Sequence, residues 1–166
     1  ISGKGDEGAA NHLRISKSHN EQGYEIFVYG DSGFSGDKSL VKRQALEVSK
    51  SVAYNHKLDT KKTFFLQQNS KAIEKGSFHN DIVSLSNENI FIAHEKAFQS
   101  EDVFKKVINN LESGIDNFQF IEIPESEIPL EDIINSYLLN SQLFTNEKNE
   151  MQLILPEEVK DFSNCM

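Results

Sequence analysis

A chain of 166 residues is within the range of one domain and long enough to bury a core. With 37% apolar residues, 12 Phe and 26% charged residues it reads as soluble and globular, and its net charge of −9 argues against nucleic acid, whose phosphates require a basic face. Apolar runs of only a few residues exclude a membrane span, which needs about 20, and the single Cys165 excludes a disulfide framework and thiolate zinc clusters. An opening without Met or a basic-then-apolar leader carries no mark for secretion, so a reducing, cytoplasmic setting is expected. The acidic balance would suit a cationic small molecule, but a plain acidic soluble surface is the better explanation.

In chain order, GDEGAANH (Gly5 to His12) is a polar stretch of small residues that lets backbone pass close to a ligand while Asp6, Glu7, Asn11 and His12 project functional groups. A loop cap is the alternative. YEIFVYG (Tyr24 to Gly30) is a β-rich run closed by glycine, and DSGFSGD after it a turn-rich loop. Val41, Ala45, Val48 and Val52 keep helical spacing and predict an amphipathic helix over Lys38 to Leu58, with Arg43 a solvated cation on it. TFFLQQN (Thr63 to Asn69) reads as a buried strand. IVSLS and NIFIAHE read as two more, with Asn87 to Asn89 as their turn. Glu101 to Leu111 carries one apolar helical stripe ended by Gly114. NFQFIEIP is then a strand and PLEDIIN a helix opening at Pro129, while SYLLNSQLF and MQLILP form a closing hairpin. Paired strands, a helix and a further strand, repeated, describe a β-β-α-β plan in an α/β fold.

His79 and Asp81 in GSFHNDIVSLS stand where loop meets strand, one pleat apart, so both side chains point to one side. Such an imidazole can shuttle protons, and a hydrogen-bonded structural histidine is the plainer alternative. His12, His79, Asp81 and Glu7 are conceivable metal ligands, yet no H-x-x-x-H spacing supports this, and neither metal nor cofactor is expected. His19, His56 and His94 read as structural or surface histidines, and no phosphate-binding glycine loop follows a strand.

Taken together, GDEGAANH, FVYG, RQALEVS, FFLQQN, GSFHNDIVSLSNENIFIAHEKAF and SYLLNSQLF with LILP resemble, in order and spacing, the middle of the succinylarginine dihydrolase family. The resemblance implies membership of the guanidine-modifying superfamily, whose pentein-like fold is an α/β propeller of five β-β-α-β modules around a central active site. Residues 1–166 would then be a single segment from the centre of that domain, an incomplete propeller of two to three modules. It implies hydrolysis of N-succinylarginine to N-succinylornithine, two ammonia and carbon dioxide through a cysteine nucleophile. By motif match Glu7 and His79 are the catalytic acid and histidine, Asp81 grips the substrate guanidinium, and Arg43 holds a carboxylate of the succinylated substrate. The family's cysteine lies downstream in a glycine-rich context that KDFSNCM lacks, so Cys165 is expected to be a loose-tail thiol and this chain alone inactive. The remaining expectations are a small-molecule substrate, no nucleic acid, no membrane and a possible homo-oligomer. A non-catalytic remnant or guanidinium-binding module, or a deiminase or amidinotransferase activity, are the alternatives.

Overall fold

Short apolar-polar alternation is enough to make strands here because each finds a partner. The structure is a computed structural model that describes residues 9–30 and 44–165. β1 (His12–Ile15) pairs antiparallel with β2 (Tyr24–Tyr29), and β2 runs parallel to β3 (Thr63–Gln67). Leu13, Ile26 and Phe64 stand opposite one another in this register. The period of two places Leu13, Ile15, Ile26, Val28 and Leu66 on one buried face. The sequence reading misses β1, since four residues with two polar ones carry little signal until β2 lies beside them.

A parallel pair needs a crossover, and α1 (Leu46–Asn55) supplies it between β2 and β3. It is shorter than the predicted span from Lys38 to Leu58. Ala45 before it is extended, and Lys57 after it takes a left-handed φ of 54°, which ends the helix. Residues 31–43 lie outside the described ones.

The plan is then repeated. β4 (Ser84–Asn87) pairs antiparallel with β5 (Ile90–His94), α3 (Glu101–Gly114) crosses over, and β6 (Gln119–Ile123) lies parallel to β5. Leu85, Ile92 and Ile121 are opposite one another, so the two units share one register. The Ser100 hydroxyl caps α3 by accepting the N–H of Val103, as helix N-termini require. Val107, Ile108 and Leu111 of α3 join Ile26 and Leu66 of the first sheet and Phe91 of the second in one core. Phe91 meets the rings of Phe98, Phe104 and Phe120 at centroid distances of 5.5 to 6.4 Å, in tilted and edge-on geometries that aromatic quadrupoles favour.

Each sheet is followed by a short helix. α2 (Ser70–Glu74), capped by the Asn69 side chain, is too short to show an apolar period and is missed in the sequence. α4 (Leu130–Ser136) follows Pro129 as predicted. SYLLNSQLF is not the strand expected of it. Ser136 closes the helix, Tyr137 turns left-handed at φ 55°, and only Gln142–Thr145 forms β7, paired with β8 (Met151–Ile154). Burial of Ile133, Ile134 and Ser136 at helical spacing outweighs the β propensity of the later residues. The C-terminal residues also depart from expectation, because two 3-10 turns fold back on α4 and hold Cys165 half-buried, its Sγ 3.6 Å from Ser136 Oγ.

The first strands of successive units lie side by side, β1 against β4 and β4 against β7. The Ser16 N–H donates to the Glu88 carbonyl at 2.9 Å, and Asn87 Nδ2 donates to Thr145 Oγ1 at 2.9 Å. The described residues thus form a mixed α/β structure of two β-β-α-β units and a hairpin, and no closed barrel or propeller is present among them. Among them, too, no helix is long and apolar enough to cross a membrane.

Candidate active site

Three turns lead into the three first strands, namely Ala9–Asn11 before β1, Asn80–Ile82 before β4 and residues 137–141 before β7. They converge on a cleft of about 580 Å³, whose lining includes Ala10, His12, Arg14, Asp81, Glu88 and Asn140. A second hollow of about 740 Å³ lies by α1 and β3, lined by Tyr54, Leu58, Phe65 and neighbouring residues, and it contains no carboxylate or imidazole. Of the predicted site residues, Asp81 lines the first cleft.

His79 and Asp81 are not one pleat apart on a strand. His79 is extended and caps a 3-10 turn over Asn80–Ile82, and β4 begins only at Ser84. The cause is Asn80, whose side chain is fully buried. Its Oδ1 accepts the Ser84 hydroxyl at 2.7 Å, and its N–H donates to Asn11 Oδ1 at 3.1 Å. A turn satisfies Asn80 Oδ1 and N–H where a strand would spread their partners apart, while Asn80 Nδ2 and Asn11 Nδ2 have no hydrogen-bond partner among the described residues. The Asn11 bond also joins the two motifs singled out in the sequence, since Asn11 belongs to GDEGAANH and Asn80 to FHND.

Asp81 is half-buried, and burial pushes its carboxyl above the usual carboxylate range. The nearby charge of His79 and a hydrogen bond with the Asn140 side chain oppose that rise. Its Oδ1 is shut from solvent without a hydrogen-bond partner among the described residues. Such an oxygen is poorly solvated as an anion, which is why burial raises the pKa of the carboxyl.

His12 is engaged locally. Its ring stacks on Phe27 at 4.6 Å, and Nε2 lies 2.8 Å from Glu25 Oε2, off the direction of a hydrogen bond, so the contact is electrostatic. His94 is structural, as its sequence context suggested. Nε2 donates to the Ile128 carbonyl at 3.0 Å, Nδ1 accepts the Lys96 N–H at 3.0 Å, and burial pushes its pKa down. Glu7 and Arg43, the other two predicted site residues, lie outside the described residues. Among the described residues no group of three or more His, Cys, Asp or Glu could hold a metal ion. Sequence reasoning missed Asn140, which reaches Asp81 from a stretch read as strand, and Gln68, whose amide contacts the loop before His79. A polar QQN run directly after an apolar strand was the available signal.

Fold and site together define a mixed α/β protein of repeated β-β-α-β units with a polar cleft where the first strands begin. Residues 2–166 match the family described as Succinylarginine dihydrolase. The chain is 38% identical over 159 residues to the N-succinylarginine dihydrolase of Acinetobacter baumannii, a match covering 93% of this chain and 36% of that protein. It is 40% identical over 161 residues to the enzyme of that name from Photobacterium profundum, covering 95% of this chain, and 39% identical over 163 residues to that of Photorhabdus laumondii, covering 96%. The chain belongs to the succinylarginine dihydrolase family, and it spans 36% of the length of these curated relatives.

Proposed function

We propose that this chain supplies the proton-transfer histidine and the guanidinium-binding carboxylate of a succinylarginine dihydrolase. The observation that carries the reading is Asp81, a half-buried carboxyl with an unpartnered oxygen in a polar cleft beside His79. A guanidinium is permanently charged and offers a planar fork of N–H donors, so it pairs with this carboxyl where Asp81 lines the cleft and draws it back to its ionised form. The reaction takes N-succinylarginine and two waters to N-succinylornithine, two ammonia and carbon dioxide. A cysteine thiolate other than Cys165 attacks the guanidinium carbon, and its electron pair forms the C–S bond. His79 gives a proton to the departing ammonia, then takes one from the water that cleaves the covalent intermediate and leaves a ureido group. A second attack on that carbon expels the second ammonia, and the second water frees a carbamate that loses carbon dioxide to leave N-succinylornithine. Glu7 is the acidic partner in these steps, and Arg43 holds a succinyl carboxylate by a charge-assisted bond.

The same reading makes the fold part of an α/β propeller. Its support is the side-by-side placement of β1, β4 and β7, the first strands of successive units, around which further units would continue. Half-exposed Ile121, Leu153 and Ile154 favour association with the remaining units or with a second copy. A cytoplasmic setting rests on the single cysteine.

The test is His79→Ala in the full-length enzyme, assayed by ammonia release. Loss of general acid-base catalysis should lower kcat by about 10²–10⁴-fold while the protein stays folded. Turnover near that of the wild type would overturn the assignment.

A further inference from the structure

The peptide plane between His79 and Asn80 is held at both of its polar atoms by side chains: those of Gln68 and the neighbouring Ser77 on one side and that of Asn11, 69 residues away in sequence, on the other. On one side, the His79 carbonyl receives the Ser77 hydroxyl at 3.2 Å and Gln68 Nε2 at 3.4 Å. The two Nε2 hydrogens are directed chiefly to the Ser77 carbonyl and hydroxyl, each at 2.8 Å, and the longer contact with the His79 carbonyl shares one of them. On the other side, the Asn80 N–H is taken by Asn11 Oδ1 at 3.1 Å. Gln68, Ser77 and Asn11 are 2%, 0% and 3% exposed, so these bonds form away from competing water. Gly76, at φ 109°, makes the turn that brings Ser77 under Gln68, a conformation other residues hold only with strain.

We infer that Gln68 and Asn11 are positioning residues: together with Ser77 they clamp the His79–Asn80 peptide and so fix where the imidazole stands relative to Asp81. The physical reason is that rotation about this peptide moves the His79 ring and the Asp81 carboxyl in different directions. With both polar atoms tethered the rotation is blocked. A leucine or methionine would fill the space of Gln68 without the cost of burying an amide, so packing alone does not account for it. The Nε2 hydrogens instead serve acceptors on the loop that carries His79. Asn11 adds a second consequence, because it belongs to the GDEGAANH motif that contains Glu7 and is itself tied to the same peptide.

This inference rests on the role proposed for His79, and its test separates the two. In the full-length enzyme, Gln68→Met keeps side-chain volume and removes both donors, and Asn11→Leu removes the acceptor. Each should lower kcat by roughly 10²-fold, the effect of displacing a catalytic group by about an ångström, while KM for succinylarginine changes less than about threefold. Asn11→Asp, which keeps an acceptor for the Asn80 N–H, should recover most of that kcat. Loss of thermal stability with kcat per folded molecule unchanged in Gln68→Met would make the clamp merely structural and overturn the inference. So would an Asn11→Asp enzyme as slow as Asn11→Leu. His79→Ala is run alongside. If it is inactive while Gln68→Met is fully active, the clamp fails and the role of His79 stands, and if it is active, that role fails first. If Gln68→Met does not fold, Ser77→Ala takes its place with the same split between kcat and KM expected.

Discussion

The two β-β-α-β units share a register but not an environment. The row Leu13, Ile26, Phe64 in the first corresponds to Leu85, Ile92, Ile121 in the second. In the first unit this face is roofed by α3, and Ile26 is 0% exposed. In the second it is partly covered by Ile133 of α4 and by Leu139, and Ile121 remains 45% exposed. One further step along the row, buried Val28 opposite Leu66 is matched by buried His94 opposite Ile123. Identical strand pairing therefore yields a closed apolar core in one unit and a half-open face with a titratable group in the other. What decides burial is which helix lies across the sheet, and α3 belongs by sequence to the second unit while it covers the first.

The largest effect that could break this comparison is on core stability. Ile26→Ala should cost about 2–5 kcal/mol, as large-to-small changes in closed cores do, whereas Ile121→Ala in the equivalent row should cost under about 1 kcal/mol. Chemical denaturation of both variants checks it, and equal costs would show that the second face is as closed as the first.

A smaller difference lies in the crossover helices. α3 has a Ser100 cap, while α1 starts at Ala45 without a side-chain cap. Ser100→Ala is expected to cost about 1 kcal/mol, and Ala45→Ser to gain up to about that amount. Thermal melts read both, and a Ser100→Ala chain as stable as the wild type would remove the distinction.

The smallest effects at neutral pH, but the most specific, come from titration. His94 has its pKa pushed down by burial, so its contribution to stability is complete above 6.5, the ordinary histidine value, and is lost as pH falls through its lowered folded pKa. Relative to His94→Gln, the wild type should therefore lose stability as pH falls below the ordinary 6.5. Asp81 has the opposite sign. Burial raises its folded pKa above the ordinary 3.8, so its contribution is complete below 3.8 and is lost as pH rises through the folded pKa. Asp81→Asn should gain on the wild type as pH rises above the ordinary 3.8. Urea midpoints across pH give both slopes, and a flat difference in either case would mean that the group is not desolvated.

The sequence by itself determined the elements whose signal is local. The apolar alternation of Tyr24–Tyr29, the helical stripe of Glu101–Gly114 and the order of strands and helices were legible because side-chain period and burial coincide there. The site was legible in part: GDEGAANH and FHND named a region through resemblance, but not the bond from Asn80 to Asn11 that joins them across 69 residues of chain. Tertiary structure alone decided that β1 is a strand, that Asn80–Ile82 is a turn and that Tyr137 breaks the last helix. It also decided that Gln68 and Asn140 reach the loop and the carboxyl of the cleft. β1 follows from pairing with β2 and the end of the last helix from the burial of Ile133 and Ile134. The turn at Asn80 and the reach of Asn140 follow from polar groups that find partners across the fold, and contacts between residues distant in sequence leave no period in it.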